Sequence, residues 1–164
     1  MTRIAVVGAG AIGGFLAAAL AKSGLPVAVV ARGAHLDAIR RHGLQVRSDL
    51  GDFSVQVEAT DDLPRLGGFD VLLLTFKAHQ WPGLLTQLAA VPGSPAIVTL
   101  QNGLPFWYVR KPPLSSVDPG GAIGRTFGDE RIIGGVVHVS GHVPEPGVIA
   151  QSGGLRYILG APGG

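Results

Sequence analysis

At 164 residues, 46% hydrophobic and only 15% charged, the chain has the size and composition of one well-buried globular domain. A net charge of +2, with no Lys/Arg run longer than Arg40-Arg41 or Arg110-Lys111, argues against a nucleic-acid partner. The absence of cysteine excludes disulfides, thiolate metal sites and a cysteine nucleophile, and is compatible with a cytoplasmic location.

Arg3–Gly8 (RIAVVG) is a β-branched run closing on glycine, the pattern of a buried strand. Ala11–Ser23, rich in Ala and Leu and stopped by Gly24, predicts a helix. Ile4–Ala21 carries no charge, follows Arg3 and ends in Ala19-Leu20-Ala21. It therefore also has the outline of a secretory signal or, with Gly10 and Gly14 at GxxxG spacing, of a short membrane span. Four glycines (Gly8, Gly10, Gly13, Gly14) weaken any isolated apolar helix there, so no membrane association is expected.

Val27–Ala31 predicts a second buried strand, and Ala34–His42 a helix closed by Gly43. Leu44–Ser48 and Phe53–Ala59 alternate apolar with polar residues, as two half-exposed strands joined through Asp49–Gly51 would. A strand at Asp70–Phe76, a helix from about Trp81 to Ala90 and a strand at Ala96–Gln101 follow. Phe106–Glu130, with Pro112-Pro113 and Pro119-Gly120-Gly121, predicts a long loop. Ile132–Ser140, Gly147–Gln151 and Arg156–Leu159 read as closing strands, and Gly160–Gly164 as a turn at which the chain is cut. Strands without polar alternation, separated by helices, require a sheet covered on both faces. The expectation is one domain, 1–164, with an α/β, Rossmann-type doubly wound and mostly parallel sheet.

Gly8-Ala9-Gly10-Ala11-Ile12-Gly13 matches GxGxxG between a predicted strand and a predicted helix, the context that dinucleotide binding requires. Gly8 permits the sharp turn, Gly10 carries no side chain to block a diphosphate, and Gly13 lets the helix approach the strand. The diphosphate then meets unpaired N–H groups at the positive end of the helix. The second strand ends Val29-Val30-Ala31-Arg32-Gly33, with no carboxylate before Asp37, and Arg32 can fork onto a 2′-phosphate. NADP(H) is thus expected over NAD(H).

Two further strand ends carry polar groups. Lys77 follows Thr75-Phe76 and can aim a point charge at phosphate, ribose or a substrate carboxylate; Asn102 follows Leu100-Gln101 and can donate and accept at a carboxamide or carbonyl. His79 and His138 are weaker candidates for a general acid, while His35, His42 and His142 receive no role. No histidine pair has zinc spacing, no acidic cluster suggests a metal pair, and no serine sits in a nucleophile elbow.

RIAVVGAGAIGG, Arg32, TFKAHQ (Thr75–Gln80), LQNG (Leu100–Gly103), SVDPGG (Ser116–Gly121), IGGVVHVS (Ile133–Ser140) and PGVI (Pro146–Ile149) together resemble ketopantoate reductase, or 2-dehydropantoate 2-reductase, over nearly the whole chain. The resemblance implies reduction of a small 2-oxo acid, 2-dehydropantoate, with NADPH on the route to pantothenate. It implies diphosphate binding by Gly8, Ala9, Gly10, Ala11, Ile12 and Gly13, and 2′-phosphate binding by Arg32. It further implies contact with cofactor and substrate by Lys77 and Asn102, and backbone contact with the cofactor near Ser140. Members continue into a helical domain that supplies the proton-donor lysine and most substrate-binding groups. The chain is accordingly expected to be a fragment or truncated product with no complete catalytic set, and inactive alone.

Two other readings stay open. A regulatory module sensing NAD(P)H or another nucleotide would need the glycine turn but not Lys77 and Asn102. A reductase of the same architecture could act on another oxo acid, since fold and cofactor site do not fix the substrate. Trp107 and Tyr108, in a Pro/Gly-rich segment, are expected to pack on the missing domain or on a second subunit of a homodimer.

Overall fold

The computed structural model describes residues 1–49, 51–109 and 112–161. The predicted turn residue Leu50, the basic pair Arg110-Lys111 and the terminal Pro162–Gly164 lie outside them. Among the described residues nine strands form one sheet: β1 (Ile4–Val7), β2 (Val27–Val30), β3 (Leu44–Arg47), β4 (Phe53–Val55), β5 (Glu58–Thr60), β6 (Val71–Leu74), β7 (Ala96–Thr99), β8 (Ile132–Glu145) and β9 (Val148–Gly160). With them, among the same described residues, are the α-helices α1 (Ala11–Lys22), α2 (Gly33–His42), α3 (Trp81–Ala89) and α4 (Ala122–Thr126).

The spatial order is β4-β3-β9-β8-β7-β6-β1-β2-β5. From β5 to β8 every neighbouring pair is parallel, in the 3-2-1-4-5-6 order of doubly wound dinucleotide folds, which puts the topological switch point between β1 and β6. Along β1 successive side chains enter opposite cores: Ile4 and Val6 join one apolar cluster, Ala5 and Val7 the other. Burial on both faces is why β1, β2, β6 and β7 read as unbroken apolar runs.

The edges of the sheet depart from expectation. The predicted strand Phe53–Ala59 is two strands: β4 pairs antiparallel with β3 at one edge, and β5 pairs parallel with β2 at the other. Only Gln56 and Val57 join them. Laid flat, nine strands would separate the edges by roughly 38 Å, at about 4.8 Å per gap, whereas three residue steps reach only about 11 Å. The sheet must curl, and α1 lies within the curl, packed on β1, β2, β3, β4, β8 and β9. A helix so enclosed is apolar all round. The same enclosure accounts for the signal-like run Ile4–Ala21, and among the described residues no helix is long and apolar enough to cross a membrane.

The predicted loop Phe106–Glu130 contains α4. The carboxylate of Asp118, only 2% exposed, accepts the Ile123 N–H at 2.8 Å and the Gly124 N–H at 3.1 Å, satisfying the first turn of this short helix. The three predicted closing strands are instead one antiparallel hairpin, β8–β9, whose register shifts at His138/Ser140, Ser140/Gly141 and His142/Glu145. The Trp107 ring is half-buried against the core and its Nε1 donates to Thr99 Oγ1 at 3.2 Å. Tyr108 is exposed.

Candidate functional site

Beyond the C-terminal ends of β1, β2, β6 and β7 lies a cleft of about 1100 Å³, of the size that organic ligands occupy. Its wall includes Gly8 to Ile12, Arg32, Lys77 and Asn102, so strand ends from four places in the sequence meet there. The turn from β1 into α1 is tightly specified. Gly8 has φ +105°, and a Cβ there would fall 2.9 Å from Phe76 N. At Gly13 a Cβ would collide with the Gly8 carbonyl oxygen and Thr75 Oγ1, so α1 approaches β1 and β6 as closely as glycine allows; Gly13 itself lies behind the cleft wall. Gly10 differs: nothing in the protein lies within 4 Å of where its Cβ would be, and its φ of −71° suits any residue.

The polar groups of this turn are sorted by direction. Thr75 Oγ1 donates to the Gly8 carbonyl at 2.7 Å, His35 Nε2 lies 2.7 Å from the Ala9 carbonyl, and the Gly8 and Ala9 N–H groups both donate to Val30 O at 3.1 Å. The Gly10 N–H has no partner among the described residues. No side chain caps the first turn of α1, whose leading N–H groups also lack intrahelical partners. Bare donors on a helix's positive end, beside an open cleft, form an anion-binding surface.

Arg32 is exposed at the N-terminus of α2; its carbonyl accepts Leu36 N–H at 3.3 Å, and among the described residues its guanidinium has no hydrogen bond or ion pair. Lys77 is likewise exposed, its ammonium unpaired among the described residues; its backbone N–H donates to Gln80 Oε1 at 2.9 Å, fixing the approach to α3. The Asn102 amide is already engaged: Nδ2 donates to Val137 O at 3.1 Å and Oδ1 accepts Val137 N–H at 3.0 Å. It extends the β7–β8 ladder past the last paired residue, with one N–H and one lone pair left over. Ser140 is exposed and does not line the cleft: Val137, Val139 and Gly141 alternate onto the wall, which leaves Ser140 on the opposite face of β8. His79 lines the cleft, whereas His138 is exposed on β8 outside it. Among the described residues no cluster could hold a metal ion.

Three cleft residues escaped the sequence reading. Thr75 and His35 hold the glycine turn as described. Gln101 accepts the indole N–H of Trp81 at 3.2 Å, and since an indole can only donate, Oε1 is fixed toward Trp81 and Nε2 is left buried without a partner among the described residues. Trp81, 1% exposed, packs edge-on against Phe76 and Phe106 at centroid distances of 5.1 and 5.4 Å, so this amide stands on a rigid base. The strand-end position of Gln101 was the available signal.

Comparison with known proteins agrees with the geometry. Residues 4–164 match the family model described as ketopantoate reductase PanE/ApbA. A 2-dehydropantoate 2-reductase of Mesorhizobium japonicum is 42% identical over 99% of this chain and 52% of its own length. One from Pyrococcus horikoshii is 28% identical over 96% and 47%. Among solved structures, 2-dehydropantoate 2-reductase from Geobacter metallireducens superposes with a TM-score of 0.82 at 34% identity, covering 97% of this chain and 49% of that one. A ternary D-mandelate dehydrogenase structure with NADH shares the fold, with a TM-score of 0.78 at 20% identity over 96% and 47%. The chain spans about half the length of these relatives. With the parallel order, the glycine turn and the matched family model all in agreement, the chain belongs to the PanE/ApbA ketopantoate reductase family.

Proposed function

We propose that this chain is the NADP(H)-binding half of an oxidoreductase that reduces a 2-oxo acid to a 2-hydroxy acid, with 2-dehydropantoate as substrate. One observation carries the reading: on the cleft wall the turn between β1 and α1 directs its carbonyls into protein and, among the described residues, leaves Gly10 N–H and the leading amides of α1 unpaired. The open space at Gly10 supports it, since neither packing nor backbone conformation demands glycine there. A diphosphate would lie on Gly8 to Gly13. Arg32, unpaired at the end of β2, would hold a 2′-phosphate. The bound nicotinamide supplies hydride. Lys77 would offer its ammonium to the substrate end, and Asn102, anchored on Val137, its remaining N–H and lone pair. Ser140 has no part in this reading.

Protonation of the developing alkoxide and exclusion of water fall to the remaining half of the longer relatives. The 164-residue chain is therefore expected to bind cofactor without measurable turnover. Fluorescence titration with NADPH and NADH tests the assignment. NADPH should bind at least about tenfold more tightly, the fold-change of one charge-assisted contact. Equal or tighter NADH binding overturns the role of Arg32, and turnover at the level of a complete reductase overturns the division of labour.

A further inference from the structure

The glycine turn is held by a residue outside its motif. His35, on α2, is half-buried on the cleft wall. Gly147 N–H donates to its Nδ1 at 3.0 Å, and a backbone amide can only donate, so Nδ1 carries no proton. The ring proton is then on Nε2, which donates to the Ala9 carbonyl at 2.7 Å. Both ring nitrogens are committed, and the tautomer is fixed by the structure.

Those two partners have different standing. Gly147 is buried at the β8–β9 turn; its carbonyl accepts Gln45 N–H at 3.0 Å, and a Cβ on it would fall 3.0 Å from Ala38 Cβ. It is a firm abutment. The Ala9–Gly10 peptide is the reverse. Among the described residues its carbonyl has no other partner and its N–H has none. The preceding peptide is held at both ends, by Thr75 on the Gly8 carbonyl and by Val30 O on the Ala9 N–H. In a trans peptide C=O and N–H point in opposite directions. Fixing the Ala9 carbonyl therefore fixes where Gly10 N–H points.

We propose that His35 is a positioning residue for cofactor binding: as the neutral Nε2–H tautomer it braces the Ala9 carbonyl against the β8–β9 turn and so aims Gly10 N–H at the cofactor's diphosphate. This rests on the dinucleotide reading above. Without the brace the peptide can turn its carbonyl toward the phosphate oxygens, which repel it.

The two bonds are separable. In His35→Gln the side-chain nitrogen can stand where Nε2 stood and still donate to Ala9, while the acceptor for Gly147 is lost. In His35→Asn the amide oxygen can stand where Nδ1 stood and accept from Gly147, while the donor to Ala9 is lost. His35→Ala loses both. NADPH titration of the 164-residue chain should show affinity lowered about tenfold in His35→Ala and His35→Asn, and kept within about threefold in His35→Gln, the scale of one hydrogen bond. Melting temperature should follow the other bond, falling in His35→Ala and His35→Gln but little in His35→Asn. Long-range proton–nitrogen spectra of the wild-type ring should show the Nε2–H tautomer. Affinity that falls with melting temperature in the Gln variant, or is unchanged in His35→Ala, overturns the proposal while leaving dinucleotide binding intact; so does an Nδ1–H tautomer. Failure of the wild-type chain to bind either dinucleotide removes the cofactor reading, and this proposal with it.

Discussion

Gly10 and Gly13 lie three residues apart in one motif, yet the structure gives them opposite reasons to be glycine. At Gly13 a Cβ would collide with the Gly8 carbonyl oxygen, which is backbone, and with Thr75 Oγ1, whose 2.7 Å bond to that oxygen would be broken. Overpacking of this kind costs about 1–3 kcal/mol, and the displaced hydrogen bond about 1 more. The better helix propensity of alanine returns at most about 1 kcal/mol. Gly13→Ala should therefore lose about 1–3 kcal/mol net, or roughly 2–12 °C in Tm for a chain of this size. At Gly10 a methyl meets nothing within 4 Å and φ is −71°. The weaker N-cap preference of alanine and the reduced entropy of the unfolded chain, each under about 1 kcal/mol, nearly cancel. Gly10→Ala should melt within a few degrees of wild type but bind NADPH at least about tenfold more weakly, because the methyl occupies space meant for the diphosphate. Thermal melts and fluorescence titration of both variants are the assay. A Gly10→Ala protein with wild-type affinity, or a Gly13→Ala protein as stable as wild type, would refute the division.

Other outcomes follow from single groups. Arg32→Ala should weaken NADPH by about 10- to 100-fold, the scale of a charge-assisted hydrogen bond, leave NADH nearly unchanged, and flatten the salt dependence of NADPH binding. Asn102→Ala strips Val137 of both side-chain partners and should cost about 1–3 kcal/mol by urea denaturation even without cofactor. Burial pushes the Tyr157 hydroxyl from 10.0 up to about 12. The folded pKa is the higher one, so this contribution to stability is complete below pH 10 and is lost as pH rises toward 12. Tyr157→Phe should remove that part of the alkaline slope in denaturation measured from pH 9 to 12.

The central strands were legible because each is buried on both faces, and the glycine turn because its spacing sits between a strand and a helix. What escaped depends on partners remote in sequence. The break between β4 and β5 is set by two different neighbours at opposite edges, which the alternation from Phe53 to Ala59 does not encode. Register shifts interrupt the β8–β9 pairing, which hid the length of the hairpin, and the alternation that sets Val137, Val139 and Gly141 on the wall keeps Ser140 off it. α4 has five residues and relies on a carboxylate outside the helix, at Asp118. His35 reads as an ordinary helix histidine, because its partners lie 26 and 112 residues away. Arg32, Lys77 and Asn102 were found from strand ends alone, but that Asn102 spends half its amide on Val137 was not.

The curl of the sheet has a consequence for how the gene can vary. Gln56 and Val57 act as a seam, and their length is dictated by closure of the wall around α1, not by local turn preference. Adding residues there would cost little in loop entropy, but it would let the margins drift apart and bare the unpaired N–H and C=O groups of β4 and β5. Insertions in the β3–β4 turn leave that closure untouched. Length variation among relatives is thus expected at the turn and not at the seam, where self-association would be the first symptom.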